Sequence, residues 1–196
     1  RAPKLKSFIS VGDGERPEGA VGWDDALAAQ SPEREGFPQR SSDDLYIIYT
    51  GGTTGMPKGV MWRQHDIFYA GMGGGDPVGT PAARPEEVAE RAPGRGALVM
   101  FPVAPLMHGA AQLATWIAFL QASKVVLVKK FDPVEVIEVA KREGVNSLSI
   151  VGDAMARPMA EALAGPLKGM ELPGLFVLSS AGAIFSKSVR DKLQAL

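Results

Sequence analysis

Tyr46–Val60 reads YIIYTGGTTGMPKGV, an apolar run that passes directly into Thr50, Gly51, Gly52, Thr53, Thr54 and Gly55 and then a Pro57–Lys58 pair. A triphosphate is held by many donors at short range. Glycine has no Cβ and tolerates positive φ, so Gly51, Gly52 and Gly55 let backbone N–H groups come close. Thr50, Thr53 and Thr54 add hydroxyl donors. Lys58 sets a compact positive charge beside the loop, and Pro57 restricts the backbone that carries it. The stretch predicts a strand followed by a loop able to hold the β and γ phosphates. A Walker A loop would end in Gly-Lys-Ser/Thr and open a helix, whereas Pro57-Lys58-Gly59 continues extended. The bland alternative is a hairpin tip rich in glycine and threonine with an incidental lysine.

Around this loop the chain alternates short apolar strands with helices. Strands are predicted at Leu98–Val103, Val125–Val128, Leu148–Val151 and Leu175–Leu178, each short, apolar and bounded by turn residues. Asp132-Pro133-Val134-Glu135 supplies an N-cap, a proline at the first helical position and an acid three residues on, and Gly144 supplies the stop. Asp153–Gly165 repeats that plan, with Asp153 read as a cap rather than a metal ligand. Val189, Leu193 and Leu196 recur at helical spacing behind Ser186, which predicts an amphipathic helix capped by that serine. The fold class that follows is α/β, a parallel sheet flanked by helices. Ligands in such sheets gather at the carboxyl ends of strands, and both the 49–58 loop and the 179–186 turn follow predicted strands. Gly71–Glu87 reads as a flexible loop without a nearby lysine. Residues 1–42 are polar, with few apolar positions, and predict an irregular lead-in carrying a short helix at Trp23–Ala29.

The composition narrows the function classes. A chain of 196 residues with 45% hydrophobic content can bury a core of about one domain. With 21 basic and 22 acidic residues there is no basic field for nucleic acid and no cluster for a membrane surface. The absence of cysteine excludes disulfides and thiolate metal sites within this sequence and is compatible with a reducing, cytoplasmic setting. No run approaches the ~18 apolar residues of a membrane span. No His/Asp/Glu grouping has metal spacing, so no metal site is assigned.

YTGGTTGMPKGV resembles the signature loop of the adenylate-forming (acyl-CoA synthetase, AMP-binding) superfamily, usually Ser/Thr-Gly-Thr-Thr-Gly-x-Pro-Lys-Gly-Val. Together with Asp43-Asp44 and MWRQHDIF it is similar to bacterial, and in particular actinobacterial, fatty-acyl-CoA synthetases acting on lipid or steroid-derived acids. Gly51 stands where a serine is frequent, which removes one hydroxyl from the loop. Gln64 stands where many relatives carry histidine, so His65 does not inherit that role. FPVAPLMHGAA, Phe101–Ala111, resembles the strand-to-helix junction where an aromatic-His pair borders the acyl pocket. The resemblance gives His108 that place, with Met107 where an aromatic is common. LSSAGAIFS, Leu178–Ser186, resembles the turn that packs against adenine, which implies Gly182 and Ala183 as base contacts; Ala181 and Ile184 depart from the pattern.

The resemblance implies an ATP-dependent ligase. The acid's carboxylate attacks the α-phosphorus of ATP, pyrophosphate leaves, and the thiol of coenzyme A then displaces AMP from the acyl-adenylate. Thr50–Gly55 and Lys58 would hold the phosphates, with Lys58 the candidate catalytic group. Mg²⁺ would arrive with ATP. The Tyr-Gly-x-Thr-Glu and Thr-Gly-Asp motifs, the hinge and the mobile C-terminal domain of such enzymes are not in this sequence. The expectation is therefore an internal piece, with residues 1–42 ending a preceding subdomain or linker and 43–196 forming part of the N-terminal AMP-binding domain. Its partners would be the acid, ATP, CoA and the missing C-terminal domain, with self-association left open. Such a piece is expected to be inactive alone. The alternative is a non-catalytic module that binds ATP or AMP.

Overall fold

The computed structural model describes residues 6–33, 36–50 and 55–195. The chain divides into two compact units, Arg1–Arg40 and Ser41–Leu196. In the first, β1 (Phe8–Ser10) pairs in parallel with β2 (Ala20–Gly22), and α1 (Trp23–Ala28) follows at once. The expected short helix is there, but the lead-in is not wholly irregular. The paired strands draw on the few apolar residues available, Phe8, Ile9 and Val21, although all three stay about half exposed.

The second unit opens with a hairpin. β3 (Leu45–Thr50) pairs antiparallel with β4 (Lys58–Arg63) in a register that sets Thr50 opposite Lys58 and Leu45 opposite Arg63. Pro57-Lys58-Gly59 thus does continue extended. The expectation that the 49–58 loop follows a strand of the parallel sheet is corrected, because β3 lies in a separate two-stranded sheet. A two-residue-period apolar run such as YIIYT satisfies either setting, and only pairing distinguishes them. Arg63 closes the base of the hairpin, donating to Asp43 at 3.2 Å and to both carboxylate oxygens of Asp66 at 2.8 and 2.9 Å. Those bonds hold the Asp66 carboxyl below the ordinary carboxylate range, with His65 adding to the effect. α2 (Gln64–Met72) then runs to Gly73, whose left-handed φ of 61° ends it.

Within the segment 71–87, residues 73–76 and Ala82 are buried or half-buried, while residues 77–81 stay exposed. Gly74 and Gly75 are buried with φ of 61° and 80°, the Ala82 N–H donates to the Gly74 carbonyl at 2.9 Å, and the Tyr69 hydroxyl donates to the Ala82 carbonyl at 2.9 Å. Arg95 and Asp76 pair at 3.1 Å, both mostly buried. Gly73, Gly74 and Gly75, all at positive φ, permit tight backbone turns here. α3 (Glu86–Arg91) follows.

The main sheet is parallel, in the order β6-β5-β7-β8, from β5 (Val99–Pro102), β6 (Lys124–Val125), β7 (Ser147–Ile150) and β8 (Val177–Ser180). α4 (Gly109–Leu120), α5 (Pro133–Glu143) and α6 (Gly152–Ala164) supply the connections, and α7 (Lys187–Gln194) follows β8. Phe101, Leu148 and Ile150 pack with Val136, Ile137, Val139 and Ala140 of α5, Met159 and Ala162 of α6 and Val189 of α7 in one buried core. α4 rests on β5, β6 and β7, and its buried Ala111, Thr115 and Ala118 stand apart from that cluster. The α/β architecture expected from the alternating pattern is thus present.

All four strands differ from expectation in extent: β5 is one residue shorter at each end, β7 is shifted by one, and β6 and β8 differ more. β6 stops at Val125, though the Val126 N–H still reaches the Met100 carbonyl at 2.9 Å. β8 begins two residues later than the apolar run and takes in Ser179 and Ser180, whose hydroxyls bond across the sheet to Ser149 Oγ and to the Gly152 N–H. Around α5 the sequence signals hold: Asp132 Oδ1 accepts from Val134 and Glu135 N–H at 3.0 and 2.9 Å, and Gly144 closes the helix at φ 64°. α6 departs from its expected plan. Its N-cap position is Val151, so Asp153 lies inside the first turn and its carboxylate bonds Ser186 instead of capping its own helix. Ser186 does stand at the N-cap of α7, but its side chain makes no cap bond, and its hydroxyl donates to Asp153.

Candidate functional site

Three groups of residues carry the expected chemistry, and the fold holds each differently. Thr50 ends β3 and Lys58 begins β4, so both flank the tip of the hairpin. Thr50 Oγ1 donates to the Lys58 carbonyl at 3.4 Å, and Gly55 and Lys58 are exposed. Among the described residues no carboxylate lies within ion-pair distance of the Lys58 amine. Gly51, Gly52, Thr53 and Thr54 lie outside the described residues.

The hairpin is seated on α4. Tyr46 hydrogen-bonds through its hydroxyl to Gln112, and a Cβ added to Gly109 would lie 3.3 Å from Ile48 Cγ2. Burial raises the Tyr46 phenol above its ordinary range, which keeps it a neutral donor. His108 is the residue before α4, at the N-cap position with extended φ and ψ of −90° and 134°. Its ring is exposed and makes no cap bond, while its carbonyl accepts from the Gln112 N–H at 3.0 Å. His108 is therefore a helix-start residue open to solvent rather than a histidine bonded into the core. Its position beside β3 follows from the Gly109–Ile48 approach.

The third group is the turn after β8. Gly182 has φ 81°, and Ala181, Gly182, Ala183 and Ile184 are all exposed. An exposed turn of small side chains at the carboxyl end of a parallel strand presents flat backbone to a ligand. Under it lies the start of α6. The Gly152 N–H donates to Ser180 Oγ at 2.8 Å, and the Asp153 N–H donates to the Ile184 carbonyl at 2.8 Å. Asp153 accepts from the Ser186 N–H at 2.8 Å and from its hydroxyl at 2.7 Å, and Arg157 stands 3.3 Å away. The two Ser186 donors, with Arg157 adding, hold the Asp153 carboxyl below the ordinary carboxylate range. Sequence reading left Asp153 as a cap and did not single out Gly152 or Ser180. Only the packing of two strand ends exposes their role.

The parallel strands set the 103–108 segment, Gly152 and the 181–186 turn at one edge of the main sheet. Among the described residues no hydrogen bond joins Thr50 or residues 55–58 to the 181–186 turn. No group of three or more His, Asp or Glu residues is gathered as a metal cage among the described residues. A hollow of about 780 Å³ beside β8 and α7, lined by Met159, Leu163, Leu172, Phe176 and Leu193 among others, is apolar and holds none of the candidate residues. No described helix is long and apolar enough to cross a membrane.

The AMP-binding enzyme family matches residues 3–196, and the chain belongs to it. Within that family it is 41% identical over 202 residues to a medium/long-chain-fatty-acid–CoA/3-oxocholest-4-en-26-oate–CoA ligase of Mycolicibacterium smegmatis, covering 99% of this chain and 36% of the relative. It is 40% identical over 200 residues to a 3-oxocholest-4-en-26-oate–CoA ligase of Rhodococcus rhodochrous, covering 97% of this chain and again 36% of the relative. The chain thus spans little more than a third of the length of these relatives. Among solved structures the fold is similar to that of the N-terminal domain of FACL13 from Mycobacterium tuberculosis, with TM-score 0.67, 19% identity and coverage of 94% of this chain and 44% of that one. A long-chain-fatty-acid CoA ligase from Rhodopseudomonas palustris gives TM-score 0.68 at 17% identity, covering 97% and 42%. These distant structures speak to the fold alone.

Proposed function

We propose that the polypeptide carrying this sequence activates a lipid-derived carboxylic acid with ATP and passes the acyl group to coenzyme A, and that residues 43–196 form part of its AMP-binding domain. The observation that carries the reading is the 41% identity, across nearly the whole chain, to a ligase of fatty acids and of 3-oxocholest-4-en-26-oate. The acid class is accordingly a fatty acid or a steroid carrying a side-chain carboxylate.

In this reading Thr50–Gly55 and Lys58 embrace the β and γ phosphates. The acid's carboxylate oxygen forms a bond to the α-phosphorus as the bond to the departing pyrophosphate breaks. Lys58 offers its charge to the oxygens on which negative charge accumulates, a contribution that is largest where water is excluded. Mg²⁺ travels with those phosphates and neutralises part of their charge. Gly182 and Ala183 lie against the adenine, and His108 borders the acid's entrance. The CoA thiol then attacks the acyl carbon and AMP leaves. The remaining length of the relatives is assigned the groups that complete this chemistry, so residues 1–196 alone are expected to turn over little. A cytoplasmic setting suits a reaction that draws on ATP and CoA.

The test is hydroxylamine trapping of acyl-adenylate by the longest natural polypeptide that contains this sequence, against a panel of fatty acids and steroid acids. Acyl-hydroxamate from one class with stoichiometric pyrophosphate supports the reading and names the acid. ATP binding without acyl-hydroxamate from any acid would overturn it in favour of a nucleotide-binding module.

A further inference from the structure

We infer that Asp153 is a positioning residue for nucleotide binding: with Gly152 and Ser180 it latches the 181–186 turn to the start of α6, so that Gly182 and Ala183 meet the base in a fixed geometry. The inference rests on the reading of that turn as the adenine contact.

The turn is exposed along its crown, from Ala181 to Ile184; Phe185 behind it packs on the core and the Ala181 N–H reaches the Ile150 carbonyl at 3.3 Å, but neither fixes the backbone at Gly182 and Ala183. Its order comes from below. Ser180 Oγ accepts from the Gly152 N–H at 2.8 Å where the turn begins. The Ile184 carbonyl accepts from the Asp153 N–H at 2.8 Å in its middle. The Asp153 carboxylate takes both the N–H and the hydroxyl of Ser186, at 2.8 and 2.7 Å, where it ends. Three successive points of a seven-residue segment are thus fixed by two adjacent residues of one helix start. Bonds to a carboxylate are the shorter and stronger kind.

The fit is close as well as bonded. Gly152 has φ 56°, and a Cβ there would come within 2.6 Å of the Ile184 carbonyl oxygen and 2.8 Å of the Ala183 Cβ. Only glycine lets the helix start lie this close under the turn. A loop held in its binding geometry before the ligand arrives binds without the cost of ordering it, which is why these residues act on affinity without touching the nucleotide.

The experiment measures AMP and ATP affinity by titration calorimetry, together with KM for ATP, KM for the acid and kcat, on the longest natural polypeptide. Asp153→Ala removes both carboxylate bonds and should raise the Kd for AMP roughly 10-fold, the cost of ordering on binding a turn no longer held beforehand. The KM for the acid should not move. Asp153→Asn can still accept the Ser186 N–H and should restore most of the affinity. Ser186→Ala deletes only the hydroxyl and serves if Asp153→Ala does not fold; it should weaken AMP binding in the same selective way. Gly182→Val tests the crown directly. If Gly182→Val loses AMP while Asp153→Ala and Ser186→Ala bind it as the unaltered protein does, the latch is wrong and the base contact stands. If Gly182→Val also binds AMP normally, the base-contact reading fails and takes the latch with it. Equal losses for nucleotide and acid, tracking the folded fraction, would reduce Asp153 to a stability residue and overturn the inference.

Discussion

Lys58 shows how one residue's meaning depends on its surroundings. In sequence it is a lysine after proline, one of 21 basic residues in a nearly neutral chain. In the fold it opens β4 opposite Thr50, exposed, with no carboxylate partner among the described residues. An amine presented this way is available to phosphate oxygens. Lys58→Ala in the longest natural polypeptide is expected to lower the adenylation rate roughly 100-fold, as loss of one charge-stabilising donor does elsewhere. Its circular dichroism and melting temperature should stay unchanged. Pyrophosphate release at the unaltered rate would remove Lys58 from the chemistry. His108 and Asp153 are residues whose surroundings only the fold reveals. The first is an exposed helix-start side chain and the second an anchor for a neighbouring turn, and neither state is written in its flanking residues.

The β5–β7–β8 edge gives a second level of inference, because Asn146 binds strands that are far apart in sequence. Its side chain accepts from the Val99 N–H at 2.9 Å and donates to the Gly174 carbonyl at 3.0 Å, while its own N–H reaches the Val99 carbonyl at 2.8 Å. Asn146→Ala strands two backbone groups that are partly shielded from water. It is expected to destabilise the chain by about 1–3 kcal/mol, read as a lower urea midpoint with an unchanged denaturant slope. An unchanged midpoint would show that water replaces both bonds.

The 181–186 turn adds a pH dependence. The Asp153 carboxyl is lowered in the folded state by the Ser186 N–H and hydroxyl, so its contribution is present above the ordinary carboxylate range and is lost as pH falls through the lowered native value. The unaltered chain should therefore lose more stability than Asp153→Asn as pH falls below about 4. Parallel acid-unfolding curves for the two proteins would refute this.

For the whole molecule, the question is how much of the activity these 196 residues hold. They match 36% of the length of the first relatives and 42–44% of two structural neighbours. Residues 1–196 alone are expected to yield acyl-CoA at a rate roughly a thousandfold or more below that of the longest natural polypeptide, since groups acting as one unit fail together. Comparable turnover would mean that the catalytic set is complete within this chain. The core of the main sheet is closely packed: Phe101, Leu148 and Ile150 are 0–1% exposed against α5, α6 and α7.

What the sequence by itself determined is the set of signals that act over a few residues. The Asp132 cap, the Pro133 start and the Gly144 stop needed only local hydrogen bonding and φ preferences, and α5 formed where they indicate. The alternation of short apolar runs with helices gave the α/β class, because buried parallel strands need apolar residues on both faces. The GGTTG and PKG spacing gave the family resemblance that the match over residues 3–196 bears out.

Tertiary structure alone decided the rest. Whether YIIYT joins the main sheet or a separate hairpin depends on which strand supplies its hydrogen bonds, and β4 does. How the 73–82 segment folds depends on Tyr69 reaching the Ala82 carbonyl and Arg95 reaching Asp76 from flanking elements. Asp153 serves Ser186 rather than its own helix because the parallel sheet brings the ends of β7 and β8 side by side. That juxtaposition spans 33 residues of chain and leaves no local trace in composition or period.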